Sequence, residues 1–210
     1  MNIKIKKLLI PIISVLASFA VLLQFYLIIV NRADSISETF VRFFSFFTIQ
    51  TNILVAVSFG FLWLQPKSKA GVFFSNPKNS TAITLYITIV GLVYNEILRY
   101  LWAPTGLQKI ADEILHLIVP VLVLAYWYLY VSQNKLAYKV ILSWLAFPFG
   151  YLVYILIRGA IAMEYPYPFL EVTALGYSQV FINCFMMLIA FLVIGVLLIG
   201  ICKMRNKKAN

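Results

Sequence analysis

The sequence predicts an all-α, polytopic membrane protein: six transmembrane helices in one bundle, with residues 1–210 forming a single membrane domain. Three observations carry that expectation. Hydrophobic residues make up 63% of the chain and charged residues 11%. With a mean hydropathy of +0.94, this excludes an ordinary soluble domain of such length. Six apolar stretches are each long enough for a hydrocarbon core of about 30 Å, which takes roughly 20 helical residues. Between them fall the breakers Pro66, Pro77, Pro104, Gly106, Pro166, Pro168 and Gly176.

The first span, 8–30, follows Lys4, Lys6 and Lys7, and Ser18-Phe19-Ala20 reads as a small-x-small cleavage site. The apolar run continues ten residues past that point to Val30, which favours an uncleaved anchor over a signal peptide. The second span, 40–64, ends before Pro66, and the third, 81–102, ends before Pro104. The fourth runs over 112–131, the fifth over 139–162, and the sixth over 177–202, starting after Gly176. Cys184 and Cys202 share the last span. Eighteen residues of helix separate them by roughly 27 Å, too far for a disulfide. No intervening segment exceeds 16 residues, so any chemistry lies within the bundle or at its mouth.

Charge orients the chain. With the N-terminus inside, the inner segments hold Lys4, Lys6, Lys7, Lys67, Lys69, Lys78, Lys135, Lys139, Lys203, Arg205, Lys207 and Lys208. The outer ends hold Arg32, Arg42, Arg99, Lys109 and Arg158, together with all seven acidic residues and the single histidine. This positive-inside pattern predicts cytoplasmic N- and C-termini in a cell membrane. The net charge of +10 is then accounted for by anionic lipid headgroups, and no nucleic-acid motif is present.

Polar side chains are costly in lipid and usually face protein or water. Gln24, Gln50, Asn52, Asn95, Glu96, Arg99, His116, Arg158, Gln179 and Asn183 all map to the outer halves of their spans. The inner halves offer Ser58, Thr81, Thr84, Thr88 and Ser143. A cavity open to the outer face with an apolar floor follows, rather than the midplane path of a transporter.

Three segments concentrate the chemistry. FFTIQTN (46–52) sets Thr48 and Asn52 at i, i+4 on one face, as helix glue or as part of a site. YNEILRY (94–100) offers Glu96 and Arg99 at i, i+3, a spacing suited to an intrahelical ion pair. Arg99 or Arg158 could alternatively receive an anionic headgroup, for which a guanidinium is suited. DEILH (112–116) places Asp112 one turn from His116, where a carboxylate can fix the tautomer of the imidazole and stabilise its charged form. A packing role for His116 is equally open. One histidine with scattered carboxylates makes no convincing metal set, and no cofactor is expected.

The ordered set of segments resembles the androgen-induced protein family of six-span membrane proteins and its bacterial relatives. The matching residues are YPFLE (167–171), which includes Glu171, after FGY (149–151); Phe46-Phe47-Thr48; and His116 before Pro120. The His-to-Pro spacing of four is one shorter than in the animal proteins. Those animal members are intramembrane hydrolases of fatty acid esters of hydroxy fatty acids. The resemblance implies Thr48 as nucleophile and His116 as general base, acting on a membrane lipid ester. Thr51, one turn away, is a rival nucleophile. Asn52 could serve an oxyanion, and Phe43, Phe44 and Phe47 the acyl chains. The competing readings are a non-catalytic lipid- or ligand-binding module and a small transporter.

Overall fold

A computed structural model describes residues 3–131 and 136–207. Lys135 and Lys208 lie outside the described residues. Among the described residues every regular element is helical. Six helices are long and apolar enough to cross a membrane: Lys4–Val30, Phe47–Leu64, Pro77–Leu101, Gly106–Tyr130, Tyr138–Ala162 and Val172–Arg205. This is the build of a multi-pass integral membrane protein. The chain divides into two compact units, 1–134 and 135–210.

In the first unit, α1 (Ile3–Val30) is one unbroken helix. It buries Ile13, Ala17 and Ala20 completely, a stripe at helical spacing whose small residues let another backbone approach. That backbone is α3 (Phe47–Leu64), and Ser14 Oγ donates to Ala56 O across the contact at 3.2 Å. The opposite side of α1, including Leu8, Val15, Phe19, Leu22 and Tyr26, is exposed, as a lipid-facing surface should be.

The second span is shorter than the sequence predicts. Residues 40–44 belong instead to a separate amphipathic helix, α2 (Ile36–Phe44), started by Ser35, whose hydroxyl accepts from Glu38 N. The break has local causes. Ser45 Oγ donates to Val41 O at 2.8 Å, and Phe46 is extended (φ −83°, ψ 125°). Gln50 Nε2 reaches back to Phe44 O at 2.9 Å, so carbonyls at the end of α2 find side-chain donors. Thr48 therefore lies in the first turn of α3 rather than deep within a continuous span.

After α3 comes a short helix, α4 (Lys69–Ser75), then α5 (Pro77–Val93). Beyond α5 the chain makes a π turn at Tyr94–Leu98 and a 3-10 turn at Arg99–Leu101. It returns through α6 (Gly106–Glu113), a second π turn at Ile114–Ile118, and α7 (Val119–Tyr130). The fourth span thus starts a turn and a half before Asp112, because 106–111 are amphipathic and still helical. Trp127 Nε1 donates to Thr81 Oγ1 at 2.9 Å, tying α7 to α5. Ser58 and Thr84 donate to carbonyls of their own helices, the usual fate of hydroxyls in apolar spans.

The second unit holds α8 (Ile141–Trp144), α9 (Ala146–Ala162) and α10 (Val172–Lys207). Gly176, at φ 74°, interrupts α10 where left-handed backbone suits a residue without Cβ, so its uninterrupted portion begins at 177. Cys184 and Cys202 are free thiols on α10. The segment joining α9 to α10 is pinned at both ends. Asn183 Nδ2 donates to Phe169 O at 2.8 Å, and Tyr165 packs against Gly159. Burial pushes the Tyr165 phenol up from its usual pKa.

Candidate functional site

The site is built around a proline that cannot complete its helix. Pro120 has no N–H, so His116 O, four residues back, loses its helical donor. The adjoining π turn sends Val119 N–H to Ile114 O, one carbonyl earlier than the α pattern, and Leu115 O is bypassed as well. Two asparagines from other spans supply the missing donors. Asn95 Nδ2 donates to His116 O at 3.0 Å and to Gly91 O at 2.7 Å. Asn52 Nδ2 donates to Leu115 O at 3.3 Å and to Thr48 O at 2.9 Å. Gly91 gives this approach its room: a Cβ would stand 3.0 Å from Pro120 Cβ and 3.3 Å from His116 O, tighter than usual contact.

This network brings α3, the end of α5 and the start of α7 together at the level of His116. It also removes Asn52 from the oxyanion role expected of it. Both hydrogens of its amide are already taken by carbonyls, and its Oδ1 is buried without a hydrogen-bond partner.

His116 is largely buried, its side chain 13% exposed. Nδ1 lies 2.9 Å from Asp112 O and 3.3 Å from Asp112 Oδ1. The Tyr94 ring stacks on the imidazole, centroids 3.8 Å apart and planes 13° from parallel. Tyr94 Oη donates to Asp112 Oδ2 and accepts from Trp102 Nε1 at 3.2 Å. Asp112, at 2% exposure, is held by Tyr94 through Oδ2, while Oδ1, facing Nδ1, is buried without a hydrogen-bond partner. Asn52 links the Thr48 turn to the His116 turn.

Glu96 and Arg99 do not pair. Arg99 instead makes a bidentate bridge to Glu113 across the α5–α6 hairpin, Nη1 to Oε1 at 2.8 Å and Nη2 to Oε2 at 2.9 Å. Glu96 is exposed. The π turn that opens the third span at Tyr94–Leu98 alters the helical register between 96 and 99, and a parallel fork on a facing helix suits guanidinium geometry better. Arg99 also sits over the Tyr94 ring, 5.4 Å from its centroid. Gln24 accepts from Gln108 Nε2 at 2.8 Å, fastening α1 to α6.

Thr51 is fully buried and its Oγ1 has no hydrogen-bond partner. Phe43 and Phe47 are buried in packing, leaving Phe44 as the exposed member of the expected acyl-facing trio; Phe43 packs edge-on against Phe25, centroids 5.0 Å apart.

Arg158 and Glu171 lie in the second unit. Arg158 is 8% exposed; its Nη1 donates to Glu164 O at 3.1 Å, and Nη2 stands 3.4 Å from Glu164 Oε2. Both arginines considered for anion binding are therefore engaged by their own chain. Glu171 accepts from Thr173 Oγ1, and its carbonyl starts α10 through Leu175 N at 3.0 Å. In the YPFLE segment the rings of Tyr167 and Phe169 stack, centroids 5.2 Å apart.

Sequence reasoning passed over Tyr94 and Trp102. A signal was available for Tyr94: it and Asp112 are 18 residues apart, centred on Ala103 just before the breakers Pro104 and Gly106, so a tight hairpin sets them level. Among the described residues no three His, Cys, Asp or Glu side chains gather as a metal site. Comparison with family models, with curated proteins and with solved structures finds no match for this chain.

Proposed function

We propose that the four-span unit is an intramembrane lipid-ester hydrolase, with Thr48 as nucleophile and His116 as general base. The observation that carries this reading is the held imidazole. Nδ1 is occupied by Asp112, which leaves Nε2 to exchange a proton, while Asn52 ties the Thr48 turn to the residue preceding His116. In the reaction, Nε2 takes the hydroxyl proton as Thr48 Oγ1 adds to the ester carbonyl, and returns it to the departing alcohol. Water, deprotonated by the same nitrogen, then adds to the acyl-threonine; the C–Oγ1 bond breaks, Nε2 returns the proton to Thr48 Oγ1, and the acid is freed. Asp112 stabilises the imidazolium between these steps. Thr48, in the first turn of an 18-residue helix, also sits at the positive end of its dipole, which favours the charge developing there. The resemblance to the androgen-induced protein family implies the same roles for these two residues.

The test is covalent labelling of the purified chain by a fluorophosphonate. Labelling that is lost in Thr48→Ala supports the hydrolase; labelling that is absent, or indifferent to position 48, removes it. A non-catalytic ligand-binding site is the second reading, favoured by an Asn52 amide spent on two backbone carbonyls, and it predicts lipid retention without turnover.

For orientation, the basic segments support cytoplasmic termini in a cell membrane, with the His116 end outside. In a chain whose Cys184 and Cys202 are replaced by serine, single cysteines at Ser35 and Thr105 should react with an impermeant thiol reagent on intact cells, and one at Ser75 should not. The reverse pattern would invert the topology.

A further inference from the structure

We infer that the α3–α4–α5 hairpin is a preformed binding surface for acidic phospholipid headgroups. Its short helix is held rigidly from both ends. Ser68 caps α4 by accepting from Gly71 N at 3.1 Å. Asn76 accepts from Lys78 N at 2.9 Å to open α5, and Asn79 Nδ2 donates to Phe73 O at 2.9 Å, closing the end of α4. Gly71 allows the fold-back: a Cβ there would lie 2.3 Å from Gln65 O and 2.8 Å from the Pro66 carbonyl. Phe74 stacks on Phe61 of α3, centroids 6.0 Å apart.

With Gly71 and Phe74 turned to the protein, Lys69, Val72 and Phe73 share the outward face of α4 at i, i+3, i+4. Val72 and Phe73 are 59% and 57% exposed, and Trp63 and Leu64 at the end of α3 are 47% and 69% exposed. Lys67, Lys69 and Lys78 are all exposed, and no acidic residue occurs between Glu38 and Glu96. Exposed apolar side chains with lysines beside them, where two apolar spans end, are the pattern of an interfacial segment that sinks its aromatic face and leaves its amines among headgroups. Trp63 marks the same depth. The lysines supply the charge complementarity to an anionic headgroup. A soluble acidic protein would satisfy the lysines alone and leave Val72 and Phe73 without a role.

The experiment uses the full chain in detergent micelles supplied with equal amounts of phosphatidylglycerol and phosphatidylcholine, counting retained lipids by native mass spectrometry. Each basic residue near an acidic surface contributes about a fivefold preference. The wild type should therefore prefer phosphatidylglycerol, and K67Q/K69Q/K78Q should lose that preference by at least roughly tenfold. K67R/K69R/K78R should keep it, which separates charge from folding, and K4Q/K6Q/K7Q should keep most of it. No preference in the wild type, or equal loss in the two glutamine variants, overturns the proposal, since net charge alone would then explain retention. If V72S/F73S retains both lipids as the wild type does, the apolar face has no lipid contact and an acidic soluble partner becomes the better occupant.

Discussion

Changing His116 to asparagine is expected to lower ester turnover by about 10²–10⁴-fold, the range for losing a positioned general base. Asparagine is the informative replacement because its amide nitrogen falls near the position of Nδ1. It can keep the bond to Asp112 O while lacking Nε2. Thr48→Ala should be at least as damaging, and the double variant scarcely worse than either single one, because a nucleophile and its base act as a unit. Thr48→Ser should keep part of the activity, since the hydroxyl remains but loses the methyl that restricts its rotamer. The measurement is hydrolysis of fatty acid esters of hydroxy fatty acids, and of short nitrophenyl esters, by purified protein, with thermal stability followed in parallel. Thr51→Ala should be active, because its buried hydroxyl has neither a base nor any other partner. If Thr51→Ala is dead and Thr48→Ala active, the nucleophile has been assigned to the wrong turn. If every variant at 48, 51 and 116 turns over esters like the wild type, the hydrolase reading goes. Asn52→Ala should behave differently from all of these. It strips donors from two carbonyls, so it should lower stability by about 1–3 kcal/mol as well as activity.

The largest structural effect is expected at Gly159. An added Cβ would stand 2.0 Å from one ring carbon of Tyr165 and 2.4 Å from two others, and the ring is 9% exposed with little room to retreat. Overpacking of this kind usually costs about 1–3 kcal/mol and at times more. Gly159→Ala should therefore lower the melting temperature of the full chain clearly, with the loss carried by the second unit. The assignment is sharpened by a cycle: in a Tyr165→Ala background the same change should cost almost nothing, because the clashing ring has gone. Equal losses in both backgrounds would place the strain elsewhere, and an unshifted melting temperature in the single variant would show that the segment simply moves aside.

The number of long apolar helices could be read from the sequence because hydropathy reports it directly, and five of the six differ from expectation mainly at their ends. The second was misjudged at its outer end for a local reason. Phe40 to Phe47 is apolar enough to pass for span, and only the hydroxyl of Ser45 and the amide of Gln50, both serving carbonyls at the end of α2, mark the break. Asp112 beside His116 was legible, since i, i+4 is a fixed helical distance. Glu96 with Arg99 followed the same rule and misled, because the rule assumes an α ladder that a π turn interrupts. The engagement of Asn52 with Leu115 O was out of reach. It depends on which carbonyls Pro120 and its neighbours leave without donors, and therefore on which helices come near enough to serve them.

The paired π turns at 94–98 and 114–118 make the chain's faces depend on residue count as much as on residue identity. Each turn holds one residue more than the α ladder would. Deleting a single residue inside either would restore that ladder and swing everything on its far side by about 100°. A deletion in the first would carry Arg99 and Trp102 away from Glu113 and Tyr94; one in the second would turn Asp112 away from its place relative to Pro120. Relatives of this chain should then fall into frames, aligning without gaps through the apolar halves and shifting by one position across these turns. A helical wheel drawn through a whole span would blend two frames and conceal the face that Tyr94, Asp112 and His116 share.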